Sequence, residues 1–578
     1  MKGYTILLYS LIVTGILTAC NKILDKPPLD RITDQQMTFS ATEMKLYANQ
    51  FYVDFPGWKK DEYTGGIFWN DLPSDNMIQG AYNYNAQVSG TITVPTSGGG
   101  WDWSKIRAAN YFIANYHITT DPPANVNTFI GEIYFWRAWY YFSMLKRFGD
   151  LPWYNRPLTT NDVEELNAPR LSRNIIADSI LADIDKAIGL LKPPASAEAL
   201  RINRGTALAF KTRVALYEGT WEKYHTGTPF GVTGSDPNKY FRAVASAAEE
   251  LIQTNYYQIP AFQATPKWNY WRIFNQKDLS ANKEIIQWSK FDKGLGLTHN
   301  GQNMLPWEGS NTGVSKQLVD YYLATDGKPI SVSPFYMGDD SITSVVTNRD
   351  PRLSQTIFVR NAPRRLTGTD TVKFSEPDIN LSTNIRSTTG YMIFKGAAPD
   401  DADRTGAVTA NIIFRYAEVL LNYAEAKAEL GEATQAVLDA TINVLRDRIQ
   451  MPHLTVAVGF TDPFWEFPAL SPLLNEIRRE RRVELALEGF RFDDLMRWRA
   501  HHLLQRPLKG AKYNQFVGKP FNPPLNNIPV SSDGYIFPYL NSPAVSGWQF
   551  DPAKHYLLPL PTNELVLNPN LKQNPGYQ

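Results

Sequence analysis

Asn475-Glu-Ile-Arg-Arg-Glu-Arg-Arg-Val-Glu-Leu-Ala-Leu-Glu-Gly-Phe-Arg-Phe-Asp-Asp-Leu-Met-Arg-Trp498 is the most densely charged run of this 578-residue chain. Glu476, Glu480, Glu484 and Glu488 recur every four residues, so a helix here lines four carboxylates along one face. Arg478, Arg479, Arg481 and Arg482 are interleaved, and Gly489 stands where a left-handed residue ends a helix. Like charges at i, i+4 repel by about 0.2–0.5 kcal/mol per pair, and Arg479 to Glu476 and Arg481 to Glu484 offset only part of that. The isolated helix gains little from the row, so its charges need partners. One reading is a paired-carboxylate catalytic site; the other is a network with neighbouring helices. Catalytic carboxylates usually face each other across a cleft from different elements, which favours the network.

Outward from this run the chain reads as helical. Residues 412–430, ended by Gly431, and 433–450, with Pro452 beyond, precede the charged helix over 472–488. Ala417, Ala424 and Ala428 allow close helix approach. Near the N-terminus Ser40-Ala-Thr-Glu43 is a capping box, and Phe39 with Met44 form a hydrophobic staple. Further helices are expected over 103–117, 128–148 (ended by Gly149), 174–191, 203–224 and 238–255. Ile176, Ile180, Ile184 and Ile188 keep the i, i+4 rhythm of a buried stripe. The stretch around Phe135, Trp136, Trp139, Tyr140 and Phe142 is apolar nearly all round and should be enclosed. Helix starts near 174, 203 and 238 recur at about 30–35 residues, the spacing of tetratricopeptide-like helix pairs, although that repeat's consensus is poorly matched.

From 256 to 410 the periodicity fades and Gly, Pro, Asn, Asp and Thr become frequent. Strand-like fragments at 356–359 and 391–394 are short. Trp268, Tyr270, Trp271, Trp288, Trp307, Tyr321, Tyr322, Phe335 and Tyr336 argue against disorder. The tail from Phe521 is rich in Pro and Asn and promises only short turns. The expected fold is therefore mostly α, a tetratricopeptide-like helix-pair array with a loop-rich variable region containing short strands.

Cys20 is the single cysteine. It closes Leu17-Thr18-Ala19-Cys20 behind Lys2 and an apolar core over 4–17, the layout of a lipoprotein signal. Cleavage there leaves an acylated Cys20, and more than one chain gives a stable anchor at about 0.8 kcal/mol per buried methylene. The parts are then a signal peptide at 1–19, a lipidated tether at 20–38, a helical region at 39–255, a variable ligand-binding region at 256–410 and a C-terminal helical region with its tail at 411–578. No intramolecular disulfide and no cysteine metal cage is possible. Lys+Arg 58 against Asp+Glu 57 leaves a formal charge of +1, which argues against nucleic acid as a partner. Seven histidines without a His-x-x-x-His pair give no metal site, and no Gly-x-Ser-x-Gly elbow occurs. No cofactor is expected.

The run from Asn475 to Trp498 resembles the signature helix of the SusD/RagB family of Bacteroidetes outer-membrane lipoproteins. Arg349-Asp-Pro-Arg-Leu353, Phe414-Arg-Tyr-Ala-Glu-Val-Leu-Leu-Asn-Tyr-Ala-Glu-Ala-Lys427 and Ile442-Asn-Val-Leu-Arg-Asp-Arg448 resemble it too. So do Leu557-Leu-Pro-Leu-Pro-Thr-Asn-Glu-Leu565, Asn568-Pro-Asn-Leu-Lys-Gln-Asn-Pro-Gly-Tyr577, Phe148-Gly-Asp-Leu-Pro152 and Trp69-Asn-Asp-Leu-Pro-Ser-Asp75. The blocks are colinear over almost the whole chain after Cys20. The resemblance implies a lipid-anchored protein on the outer membrane facing the exterior. It also implies a SusC-like TonB-dependent transporter as partner and an oligosaccharide as ligand, with peptides taken by some members. The signature blocks are scaffold, so they carry over no ligand residue.

Sugar binding needs aromatic faces beside polar side chains. Fifteen Trp and thirty Tyr make such faces available, although most should be core. Asp75, Asn76, Tyr82 and Tyr84 offer that mixture, followed by Trp101, while Trp268, Trp307 and Tyr336 offer it in the variable region. The loop before Trp101 and the variable region are expected to share one aromatic surface. Each aromatic can equally serve as a core or loop anchor, Trp103 more so because it falls inside a helix. The rival classes are a secreted glycoside hydrolase and a pure interaction scaffold.

Overall fold

The computed structural model describes residues 37–58, 66–264, 268–303, 305, 311–367, 370–379, 386–401, 406–519 and 527–578. Cys20 and Trp307 lie outside the described residues.

The array begins with α1 (Ala41–Asn49), where Glu43 N–H donates to Ser40 Oγ and Ser40 N–H donates back to Glu43 at 2.8 Å, the reciprocal cap read from the sequence. Helices α2 (Ser104–Asn115), α3 (Pro123–Phe148), α4 (Arg173–Leu190), α5 (Arg204–His225) and α6 (Pro237–Gln253) follow. Consecutive members pack side by side from α2 to α6, and α7 (Tyr416–Glu429) then covers α5 and α6. The isoleucine stripe of α4 is buried, as is most of the aromatic segment of α3. Helix α8 (Pro472–Glu484) packs on α7.

Three predicted elements come out differently. The segment expected to open the helix at 412 is strand β6 (Asn411–Arg415), which pairs antiparallel with β2 (Ile285–Ser289). The centre of β6, Ile412-Ile413-Phe414, is short and apolar with two β-branched residues, and such runs are ambiguous between helix and strand until a partner strand appears. The helix expected over 433–450 is two, Gln435–Ala440 and Ile442–Asp447, broken at Thr441, whose hydroxyl donates to the Val437 carbonyl at 2.6 Å. Among the described residues the tail holds a 3-10 turn, Pro543–Ser546, and an α-helix, Thr562–Leu567.

The remaining strands are hairpin-sized. β1 (Met77–Gln79) pairs antiparallel with β3 (Thr312–Val314), and β4 (Pro363–Thr367) with β5 (Asp370–Lys373). The fragments at 356–359 and 391–394 meet through an antiparallel bridge between Ile357 and Ile393.

Two apolar cores result. One joins the helical array to the C-terminal helices and the tail; the other gathers the variable region with Trp58, Phe68, Trp69 and Met77. The charged helix runs between them: Ile477 belongs to the first core, and Val483, Ala486 and Leu487 to the second. Every residue from Leu474 to Glu484 is buried. That position requires paired charges, because an isolated buried ion carries a desolvation penalty of several kcal/mol. Glu484 accepts from Arg415 and Arg448 at 2.7 Å and from Arg352 at 2.9 Å. Glu480 meets Arg352 and Arg446, Glu488 meets Arg415 and Lys395, and Glu476 meets Arg479. Arg481 turns to Asp494 at 2.9 Å rather than to Glu484. The carboxylate row is a structural network.

The distant sequence blocks meet in space. Leu487 and Gly489 N–H groups donate to Asp71 at 2.7 and 3.1 Å, tying the 69–75 block to the turn after α8. At Phe148-Gly149 the tail closes over the end of α3: Leu558 N–H donates to the Arg147 carbonyl at 2.7 Å and Asn574 to that of Phe148 at 3.1 Å. Gly149 has φ of 71°, and a Cβ there would lie 2.8 Å from Leu557 Cδ1, so only glycine fits this corner.

Candidate functional site

The predicted ligand residues divide by fate. Asp75 is only 2% exposed; Arg491 pairs with its carboxylate at 2.7 Å and Arg482 at 3.1 Å. Burial opposes ionisation, yet the two guanidinium groups outweigh it and hold Asp75 down at about 2. Asn76, also buried, donates to Asp71 at 2.9 Å and accepts from Arg482 at 2.8 Å. Tyr82 is half-buried against the first core. Tyr84 sets its ring edge-on to Trp548 at 5.9 Å. Trp268, at φ of 85°, stands edge-on to Phe394 at 5.7 Å. Tyr336 is half-buried beneath Arg349.

Trp101 lines a cavity of about 760 Å³. Asp75 and Tyr336 line a different one of about 410 Å³, and the two share no lining residue. The expectation of one surface shared by Trp101 and the variable region is therefore corrected: Trp101 faces the helical array and the tail, whereas Tyr336 faces the segment around α8. Tyr82, Tyr84 and Trp268 line neither cavity.

The larger cavity is built from elements far apart in sequence. Gly98, Gly99 and Gly100 all have positive φ, and Trp101 N–H donates to Gly98 O at 2.9 Å, which turns the chain into α2. Trp101 is only 8% exposed, wedged edge-on against Trp103 at 5.3 Å and Phe148 at 5.0 Å. Trp103 caps α2 and meets Tyr154 at 4.9 Å; both are half-buried, so these two rings can present faces to a ligand. Asn110 holds the wall in place by donating to Tyr154 O at 2.8 Å while accepting from Arg137 at 2.8 Å. The rim is closed by the short helix Val163–Leu166 and by the tail helix, joined where Asn568 donates to Leu166 O at 3.1 Å and Ala168 O at 3.0 Å.

Glu564 projects from that tail helix and lines the cavity; among the described residues its carboxylate has no ion pair or hydrogen bond. Burial, and then the nearby Glu564, raise the Tyr154 phenol above its ordinary value, keeping it a protonated donor. Aromatic faces, a free carboxylate acceptor and a phenol donor can hold a polyhydroxylated ring by stacking and hydrogen bonds. Trp103, Tyr154 and Glu564 were not among the predicted residues. The triple glycine before Trp101 marked the turn, but nothing local marks Glu564, which arrives from the far end of the chain. Among the described residues no group of three or more His, Asp or Glu is placed to hold a metal ion.

A sequence model of the SusD family matches residues 273–577, more than half of the chain. A second, described as starch-binding and associating with the outer membrane, matches residues 29–216. SusD-like protein P38 of Formosa agariphila is 23% identical over 534 residues, covering 89% of this chain and 95% of that protein. Among solved structures, a SusD-like carbohydrate-binding protein from Bacteroides fragilis superposes with a TM-score of 0.71 at 24% identity, covering 93% of this chain and all of that one. Surface glycan-binding protein A from Bacteroides fluxus gives a TM-score of 0.56 at 19% identity, over 95% of this chain and all of that one.

Proposed function

Since the chain belongs to the SusD family, we propose that it is a non-catalytic cell-surface lipoprotein that binds oligosaccharides and delivers them to a TonB-dependent outer-membrane transporter. The observation that carries the binding role is the pairing of half-buried Trp103 and Tyr154 beside the unengaged Glu564 in a cavity of about 760 Å³. That volume falls in the ordinary range for small-ligand sites. The family description and the names of the similar proteins supply the ligand class. The non-catalytic role is supported by the groove's own lining, in which Glu564 is the single carboxylate among the described residues where a glycosidase needs a pair; the row Glu476, Glu480, Glu484 and Glu488 lies elsewhere, buried in ion pairs.

Anchoring rests on Cys20. Among the described residues no helix is long and apolar enough to cross a membrane. Electrophoresis of the protein through gels containing a panel of plant, algal and host polysaccharides tests the reading. At least one polymer should retard migration and emerge with unchanged chain length. Shortened polymer would make the protein a hydrolase instead.

A further inference from the structure

The smaller cavity differs from the larger one in its chemistry. It lies between residues of the 317–336 segment and those of 462–506. Its carboxylates are already matched: Asp75 by Arg482 at 3.1 Å, Glu466 by Arg491 at 2.9 Å, Asp462 by Arg479 at 2.5 Å and Asp320 by Lys316 at 2.6 Å. Arg506 also lines it, is exposed, and has no ion pair or hydrogen-bond partner among the described residues. One cation is left over.

Two buried polar atoms of the lining are unpartnered as well, the Tyr321 hydroxyl and Gln317 Oε1. Neither residue is free to turn away. The Tyr321 ring is clamped by Arg479 at 4.2 Å and Arg482 at 4.8 Å. Gln317 donates its Nε2 to the Pro507 carbonyl, next in chain to Arg506. Buried polar atoms normally have a partner, so this pair marks a place where something with hydroxyl groups completes the lining. Phe464, 73% exposed, adds an apolar face at the rim.

We propose that this cavity is an accessory site for a uronic acid unit of a glycan, distinct from the groove at Trp103. The proposal rests on the glycan reading above and adds a charge preference to it. The carboxylate of the sugar pairs with Arg506, in the planar geometry a guanidinium favours. A ring hydroxyl donates to Gln317 Oε1, and another exchanges a hydrogen bond with Tyr321. The ring's apolar face rests on Phe464. A bare anion does not satisfy this set, because Gln317 Oε1 only accepts and repels an oxyanion. A neutral sugar leaves Arg506 unused. The cavity of about 410 Å³ has room for one or two sugar units.

Calorimetry of the full chain with tetragalacturonate, maltotetraose and sodium sulfate tests the proposal. The wild type should bind tetragalacturonate, with affinity falling as NaCl is raised, and sulfate should not compete at equal concentration. Arg506→Gln should weaken tetragalacturonate about tenfold, the scale of one charge-assisted hydrogen bond. Gln317→Leu should weaken it several-fold. Arg506 is exposed, so its variant folds. Wild-type affinity in Arg506→Gln, equal affinity for the two tetramers, or displacement by sulfate overturns the uronate site while leaving the groove at Trp103 untouched. Failure of both tetramers, together with failure of every polysaccharide in the gel panel, removes the glycan reading and this site with it.

Discussion

Arg415 and Glu484 meet at 2.7 Å across 69 residues of sequence, and through them strand β6 is riveted to the charged helix. The same guanidinium also pairs with Glu488 at 2.7 Å and Glu284 at 2.9 Å. Arginine serves here because its fixed fork of donors reaches several carboxylates at once. The helix that carries most charge thus fills the seam between two apolar cores, where every charge has to be matched.

Glu484→Ala removes an acceptor shared by Arg352, Arg415 and Arg448 and leaves a net positive charge in the buried network, with Asp350, Glu480, Glu488 and Glu284 as the remaining partners. We expect a loss of about 3–5 kcal/mol in denaturant unfolding, with glycan affinity unchanged in the fraction that folds. An unaltered unfolding midpoint accompanied by lost binding would assign the row a functional role.

Glu222 is buried, and neither of its carboxylate oxygens has a hydrogen-bond partner. Burial, then Glu218, push it up to about 7 from 4.5. Below pH 4.5 it is protonated folded and unfolded alike and has no effect. Between 4.5 and 7 the unfolded chain gives up the proton that the folded chain keeps, so stability falls as pH rises, with the full penalty present above 7. Glu222→Gln should therefore raise Tm by about 2 °C at pH 8 and leave it unchanged at pH 4. The opposite pH order, tracked by circular dichroism, would contradict this.

Trp101 and Trp103 should separate cleanly. Trp101 is buried between aromatic neighbours, and its replacement by alanine should cost about 3–5 kcal/mol of stability. Trp103→Ala should cost less stability and weaken glycan binding about tenfold, as the loss of one stacking face implies. Paired melting curves and affinity gels of the two variants decide it; identical behaviour in both assays would dissolve the distinction.

Cys20→Ala should move the protein from the membrane fraction to the soluble fraction with its melting temperature unchanged. Retention in washed membranes would mean that another segment anchors it.

Local patterns were legible in the sequence because their partners are close by. The Ser40–Glu43 cap, the isoleucine stripe of α4 and the helix stop at Gly149 are all decided within a few residues. The candidate site was legible only in part. Asp75 and Asn76 have the composition of ligand contacts, yet Arg482 and Arg491 take them up, and those partners stand some 400 positions away in the chain. Glu564 escaped notice for the converse reason, since it becomes a wall of the Trp103 groove only when the tail folds back over α3. Strand β6 was missed because its identity depends on β2, supplied by the loop-rich region.

Binding without turnover through the groove at Trp103 is what separates a glycan carrier from a hydrolase. The most direct measurement is calorimetry of the wild type and of Trp103→Ala with the polymer identified in the gel panel, followed by assay of the recovered polymer for new reducing ends. The wild type should give a saturable heat, the variant about tenfold weaker affinity, and neither should leave new reducing ends. New reducing ends, or equal affinity in the two proteins, would contradict it.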